Sequence, residues 1–241
     1  MPRKKKSEIT NEEDINAIVG SLSKTKIKTH KFEFSEKQQE LLKIIFDKNT
    51  KVVFISGPAG TSKTFMAIYA AIHLFNMNND YSIGYVRTII ESADRGMGAL
   101  PGSIDEKFDP FMMPLNDKLF ELASATEARR LTEKGIVRAM PINYLRGASF
   151  KDEIIIADES QNFTQKELIT LLTRIGENTK MLICGDPMQS DISGKSGFAA
   201  IKELFNSPAS VNQGIHTFEF DHTDIKRSEI LKFIVKQLEK L

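Results

Sequence analysis

Gly57, Pro58, Ala59, Gly60, Thr61, Ser62, Lys63 and Thr64 join an apolar run, Val52 to Ile55, to a helix-compatible stretch, Phe65 to Leu74. A loop in that position cradles phosphate. Its backbone N–H groups turn inward, a helix N-terminus points at the anion, and a lysine and a hydroxyl stand at fixed offsets. Lys63 is expected on the β- and γ-phosphates of a nucleoside triphosphate and Thr64 on Mg2+. The spacing G-x-x-x-x-G-K-[ST] asks for glycine immediately before the lysine, where this chain has Ser62. Serine is acceptable there if its backbone keeps a negative φ, because only left-handed positions strictly require glycine.

A second apolar run, Glu153 to Ala157, closes on Asp158 and Glu159, and a third, Met181 to Cys184, ends in Gly185-Asp-Pro-Met-Gln189. Loops at the C-terminal ends of parallel strands are where ligands bind. Adjacent carboxylates at such an end suit metal-dependent hydrolysis. Asp158 would hold Mg2+ together with Thr64, and Glu159 would orient and deprotonate the attacking water. A small-molecule phosphotransferase would share Lys63 and Thr64 but gains nothing from Asp158 and Glu159 with Gln189.

The elements that must position these residues alternate along the chain. An amphipathic helix, Glu36 to Asp47, opens with Ser35 and Gln38 in capping-box spacing. The phosphate-loop strand and its helix come next, then an edge strand, Ser82 to Val86, ending in Arg87. Glycines and prolines from Glu91 to Pro114 predict a long loop, and helical spacing returns from Leu115 to Glu133. A short strand at Ile136 to Ala139 precedes the carboxylate strand. Helices follow at Gln165 to Ile175 and Phe198 to Phe205, with a last strand at Ile215 to Phe220 and a closing helix from Arg227 to Leu241. The alternation implies an α/β fold, a mainly parallel sheet with helices on both faces.

With 241 residues, 41% of them hydrophobic, the chain has material for one core, expected over 32–241 behind a basic leader, 1–31. In that leader, basic clusters flank an acidic stretch, Asn11 to Leu22. A solvated tail is one reading, and contact with phosphate backbones or neighbouring subunits is the other. The formal net charge of +1 argues against a surface that is wholly a nucleic-acid footprint. Cys184 lies within an apolar strand and reads as a small buried hydrophobe. No secretory signal or membrane-length apolar window is present, so a cytoplasmic protein without a membrane partner is expected.

The ordered motifs resemble the core of superfamily 1 helicases, and more closely the PhoH family. The closer match rests on Leu100-Pro-Gly102, Tyr144-Leu-Arg-Gly147, Asp158-Glu-Ser-Gln-Asn162 and Leu172-Thr-Arg-Ile-Gly176, and it runs from about Phe32 to Leu241. Ser62 and Ser160 depart from the family pattern, which puts normal turnover in question.

The resemblance implies a RecA-like P-loop ATPase using ATP and Mg2+, a homo-oligomeric, hexameric ring, and a link to single-stranded nucleic acid, RNA above DNA. By the same resemblance Gln38 reads adenine, with the capping box as its alternative. Gln189 and Gln161 are γ-phosphate or water sensors, with buried structural amides as theirs. Arg227 is the first arginine-finger candidate, followed by Arg146 and Arg87, against a default of surface ion pairs.

Superfamily 1 enzymes sandwich nucleotide between two cores, and this chain has length for one. A neighbouring copy is therefore expected to complete the site, with Arg95 and the loop from Glu91 to Pro114 facing a ring pore. The length also leaves no room for the nuclease domain fused to some relatives, so no ribonuclease activity is expected. The competing functional class is an ATP-binding regulatory or scaffold protein with slow turnover.

Overall fold

A computed structural model of the chain describes residues 26–88, 104–145, 147, 149–192, 194–226 and 228–238. Its strands are β1 (Val52–Ser56), β2 (Ser82–Arg87), β3 (Val137–Pro141), β4 (Glu153–Ala157), β5 (Lys180–Gly185) and β6 (Ile215–Glu219). They form one six-stranded sheet in the order β3-β2-β4-β5-β1-β6, every pair parallel. β1, β4 and β5 are buried along their whole length, as expected of strands covered on both faces. This is the α/β fold, a parallel sheet between helices, that the alternation of elements implies.

Alternation along each strand sends side chains into two apolar layers. Val53, Ile55, Ile154 and Ile156 join the layer under α1 (Glu36–Phe46), α2 (Lys63–Met77), α3 (Ile104–Leu122) and α4 (Ala125–Glu133). Val52, Phe54, Ile155 and Ala157 join the opposite layer, beneath α5 (Gln165–Leu172) and α6 (Phe198–Leu204). β5 separates the phosphate-loop strand from the carboxylate strand. The loops after β1, β5 and β4 therefore leave the same sheet edge side by side, about 4.8 Å apart per strand.

Several expected elements differ. β2 is not an edge strand: β3 pairs outside it, and Ile83 to Val86 are buried. The second half of the expected loop is helical, since α3 begins at Ile104 and runs through Pro110 and Pro114. A proline inside a helix costs about 3 kcal/mol. The full burial of Leu115, Leu119 and Leu122, on one helical stripe, offsets much of that at roughly 1.5–3 kcal/mol each. The single helix expected to reach Glu133 is broken where Ser124 caps α4 through the Glu127 N–H. A short helix, α7 (Pro208–Asn212), was not anticipated, and the closing helix, α8, spans Glu229–Leu238.

Ile27, counted with the leader by composition, is buried and exchanges two hydrogen bonds with the Asn76 amide, and Thr29 bridges to Ala123. Arg227, Arg146, Arg95 with the rest of 89–103, and the leader through residue 25 lie outside the described residues. Among the described residues no helix is long and apolar enough to cross a membrane.

Candidate active site

The phosphate loop folds by backbone geometry. Gly57 has φ +148°, and a Cβ there would come within 2.7 Å of both the Phe220 Cβ and its carbonyl oxygen. Gly60 has φ +84°. Ser62 corrects the sequence expectation: its φ and ψ are 67° and 24°, left-handed rather than negative. Serine occupies the conformation for which glycine is the ordinary choice, at about 1–2 kcal/mol. The helix start leaves it no compensation, because the Ser62 side chain makes no capping bond to α2. The Lys63 ammonium donates to the carbonyls of Gly57 at 2.6 Å and Pro58 at 2.9 Å. Burial lowers the Lys63 pKa, opposed by the negative charges of Asp186, Glu159 and Asp158.

At the end of β4, Asp158 is held from two sides. Thr64 donates its hydroxyl to Oδ1 at 2.6 Å, and Tyr85 donates its hydroxyl to Oδ2 at 2.5 Å. Burial, then the neighbouring Asp158 charge, pushes the Tyr85 pKa far up, so this hydroxyl remains a donor. Glu159 also adopts a left-handed backbone, φ 51° and ψ 41°. Its Oε2 accepts from the Gln161 amide at 2.6 Å. Arg87 approaches Oδ2 of Asp158 and Oε1 of Glu159, each at 3.9 Å.

Gln161 links the carboxylate loop to the next one. While its Nε2 holds Glu159, its Oε1 accepts the Asp186 N–H at 2.9 Å. Beside it, the Asn162 side chain and Asp191 bond reciprocally, at 2.9 and 2.8 Å. Gln161 is 2% exposed and its amide is engaged by protein groups on both ends, which is the structural-amide arrangement. Gln189 presents an exposed side chain, and its carbonyl takes a 3.4 Å bond from Gln161. Gln38 completes both halves of the capping box with Ser35 and does not line the cleft.

The cleft measures about 490 Å³. It brings together Gly60, Ser62, Lys63, Thr64, Arg87, Asp158, Glu159 and Gly185. α3 adds Pro114, Lys118 and Glu121, and the turn after β6 adds Lys226, whose N–H donates to the Gly60 carbonyl at 3.1 Å. These contributions, and Tyr85 beneath Asp158, were not anticipated. Pro114 fell at the end of the expected loop, Lys118 and Glu121 sit in a helix that carries no motif, and Tyr85 looks from sequence like any apolar strand residue.

Among the described residues no group of three or more His, Cys, Asp or Glu side chains is placed to hold a metal alone. The Thr64 hydroxyl and the Asp158 carboxylate are hard oxygen donors, however. They fit Mg2+, which is ordinarily held by one or two carboxylates together with substrate phosphates.

Comparison with known proteins assigns the chain by sequence. A PhoH-like protein of Bacillus subtilis is 36% identical over 195 residues, covering 80% of this chain and 60% of that protein. A PhoH-like protein of Mycobacterium bovis is 34% identical over 191 residues, covering 78% of this chain and 53% of its own. The chain thus spans between half and two thirds of the length of these relatives. Among solved structures there is a loose likeness to the Pif1 helicase from Candida albicans, with TM-score 0.38 and 17% identity over 79% of this chain and 41% of that one. The family model for PhoH-like proteins matches residues 32–239, nearly the whole described body. On that match and on the identity to the Bacillus protein, the chain belongs to the PhoH-like family.

Proposed function

We propose that this chain binds ATP with Mg2+ in the cleft and hydrolyses it, and that turnover is coupled to binding or remodelling single-stranded nucleic acid, RNA above DNA. The observation that carries the reading is that Lys63, Thr64, Asp158 and Glu159, from two separate strand ends, line one cleft. The Lys63 ammonium, now resting on two loop carbonyls, would exchange them for phosphate oxygens. Thr64 and Asp158 would hold Mg2+, which when bound neutralises phosphate charge. Glu159 would take the proton of the attacking water while Gln161 fixes its other oxygen. Arg87, beside both carboxylates, adds positive charge near the reacting phosphate.

The nucleic-acid link, the roles of Arg227 and Arg146, and assembly into a homo-oligomeric ring rest on family resemblance. Sedimentation giving only monomer with full ATPase activity would remove the ring. One observation favours the second reading, a nucleotide-gated scaffold with slow turnover: the strained backbone at Ser62.

ATP hydrolysis measured with and without single-stranded RNA and DNA separates the two. Stimulated turnover that drops about 10²–10⁴-fold in Glu159→Gln, with ATP binding retained, supports the motor. Tight binding without stimulated turnover supports the scaffold. Equal rates for wild type and Glu159→Gln would contradict the assignment of Glu159 as base.

A further inference from the structure

We infer that Tyr85 is a positioning residue for the cation: by holding one oxygen of Asp158 from the core side, it sets how tightly Mg2+ is taken up with ATP. The inference rests on the ATP and Mg2+ reading above and assigns a residue that no phosphate-loop or carboxylate motif contains. Tyr85 sits in β2 opposite Ile156 of β4 and is 1% exposed. Its hydroxyl reaches Oδ2 of Asp158 at 2.5 Å, and Arg87 Nε lies 3.9 Å from the same oxygen.

The two hydroxyls on Asp158 are not equivalent. Thr64 lines the cleft and Tyr85 does not. To hold a cation, the Thr64 hydroxyl would turn away from Oδ1 and offer its lone pair instead. Nothing entering the cleft displaces the Tyr85 hydroxyl, which stays on Oδ2 throughout. Tyr85 thereby fixes the rotation of the carboxylate and keeps the oxygen shared with Thr64 as the one available to the cation. Phenylalanine at 85 would fill the same space and leave Oδ2, on a carboxylate 4% exposed, without its hydroxyl donor. Groups that orient a metal-binding side chain typically change metal affinity by about 10–100-fold when removed.

The test is binding of a fluorescent ATP analogue, titrated with Mg2+ and repeated in EDTA, for wild type and Tyr85→Phe. The half-saturating Mg2+ concentration should rise about 10–100-fold in Tyr85→Phe, while affinity in EDTA stays within about twofold of wild type. Tyr85→Leu, which also lacks the hydroxyl, should show the same Mg2+ shift with a lower melting temperature. An unchanged Mg2+ dependence in Tyr85→Phe overturns the inference. So does an equal loss of affinity in EDTA and in Mg2+, or a shift confined to Tyr85→Leu, since either result assigns the effect to core packing. A wild type that takes up the analogue with no Mg2+ dependence overturns the underlying ATP and Mg2+ reading itself, before any variant is compared.

Discussion

Lys63 and Lys180 stand at opposite edges of the same sheet and make the same kind of contact. Lys63 donates to the carbonyls of Gly57 and Pro58, and Lys180 to those of Ile45 and Asp47. Burial lowers the pKa of both, that of Lys180 to about 8. They differ in what can reach them. Lys63 lines the cleft, so an anion can take over its protons, whereas Lys180 is 8% exposed and closes the C-terminus of α1.

Backbone strain divides along the same line. Among the described residues Ser62, Asp152, Glu159 and Asn178 are the non-glycines with positive φ. Asp152 and Asn178, at the Lys180 edge, are residue types that tolerate the left-handed region, and they bond each other at 2.9 Å. Ser62 and Glu159, at the cleft, lack that tolerance and cost about 1–2 kcal/mol each. The closed edge is built from residues at ease in their conformations, and the open edge holds the strain beside the reactive groups.

Substitutions at matched positions can break or sharpen this contrast. Lys63→Ala should weaken ATP binding about 10–100-fold, the scale of lost hydrogen bonds to a charged group, with little change in melting temperature. Lys180→Met should do the reverse, lowering stability by about 1–2 kcal/mol with ATP affinity intact. Similar affinity losses in the two variants would erase the distinction.

The Lys180 contribution should also depend on pH with a definite sign. Its folded pKa of about 8 lies below the ordinary 10.5, so between those values the unfolded chain binds a proton that the folded chain does not. Lys180 therefore favours folding most above pH 10.5, and that benefit is lost as pH falls through 8. Denaturant melts should show the stability of wild type relative to Lys180→Met growing from pH 8 to 10.5, and a flat difference would contradict the lowered pKa.

The smallest effects test the strain. Ser62→Gly should raise stability by about 0.5–1 kcal/mol, the left-handed cost less the entropy of an added glycine. Asn178→Gly should stay within about 0.5 kcal/mol. Equal gains at both sites would mean that Ser62 is no more strained than Asn178.

What the sequence revealed follows a physical division. β4 was legible because the apolar run Ile154 to Ala157 ends abruptly in two carboxylates. The motif residues at the cleft were legible because their chemistry and their strand-end placement are both local. The sign of φ at Ser62 was not, because the loop is closed by Phe220 and Lys226, which lie far along the chain. The Tyr85 contact with Asp158 spans 73 residues, and nothing in β2 alone marks that tyrosine as different from its apolar neighbours. α3 was hidden by Pro110 and Pro114, whose local preference is overruled by the buried leucine stripe that follows.

The strand order carries a consequence for the chain during synthesis. Among the described strands β1 pairs with β5 and β6, so Val52 has no strand neighbour until Met181 is made and no second one until Ile215. At about 5–20 residues per second, the wait for β5 alone is on the order of ten seconds. Until then an apolar strand and the phosphate loop behind it have nothing to pair with on the ribosome. The turn that donates the Lys226 N–H to Gly60 emerges later still. The phosphate loop is therefore translated early and closed late, since its strand gains its second neighbour only with Ile215 and Gly60 its bond only with Lys226.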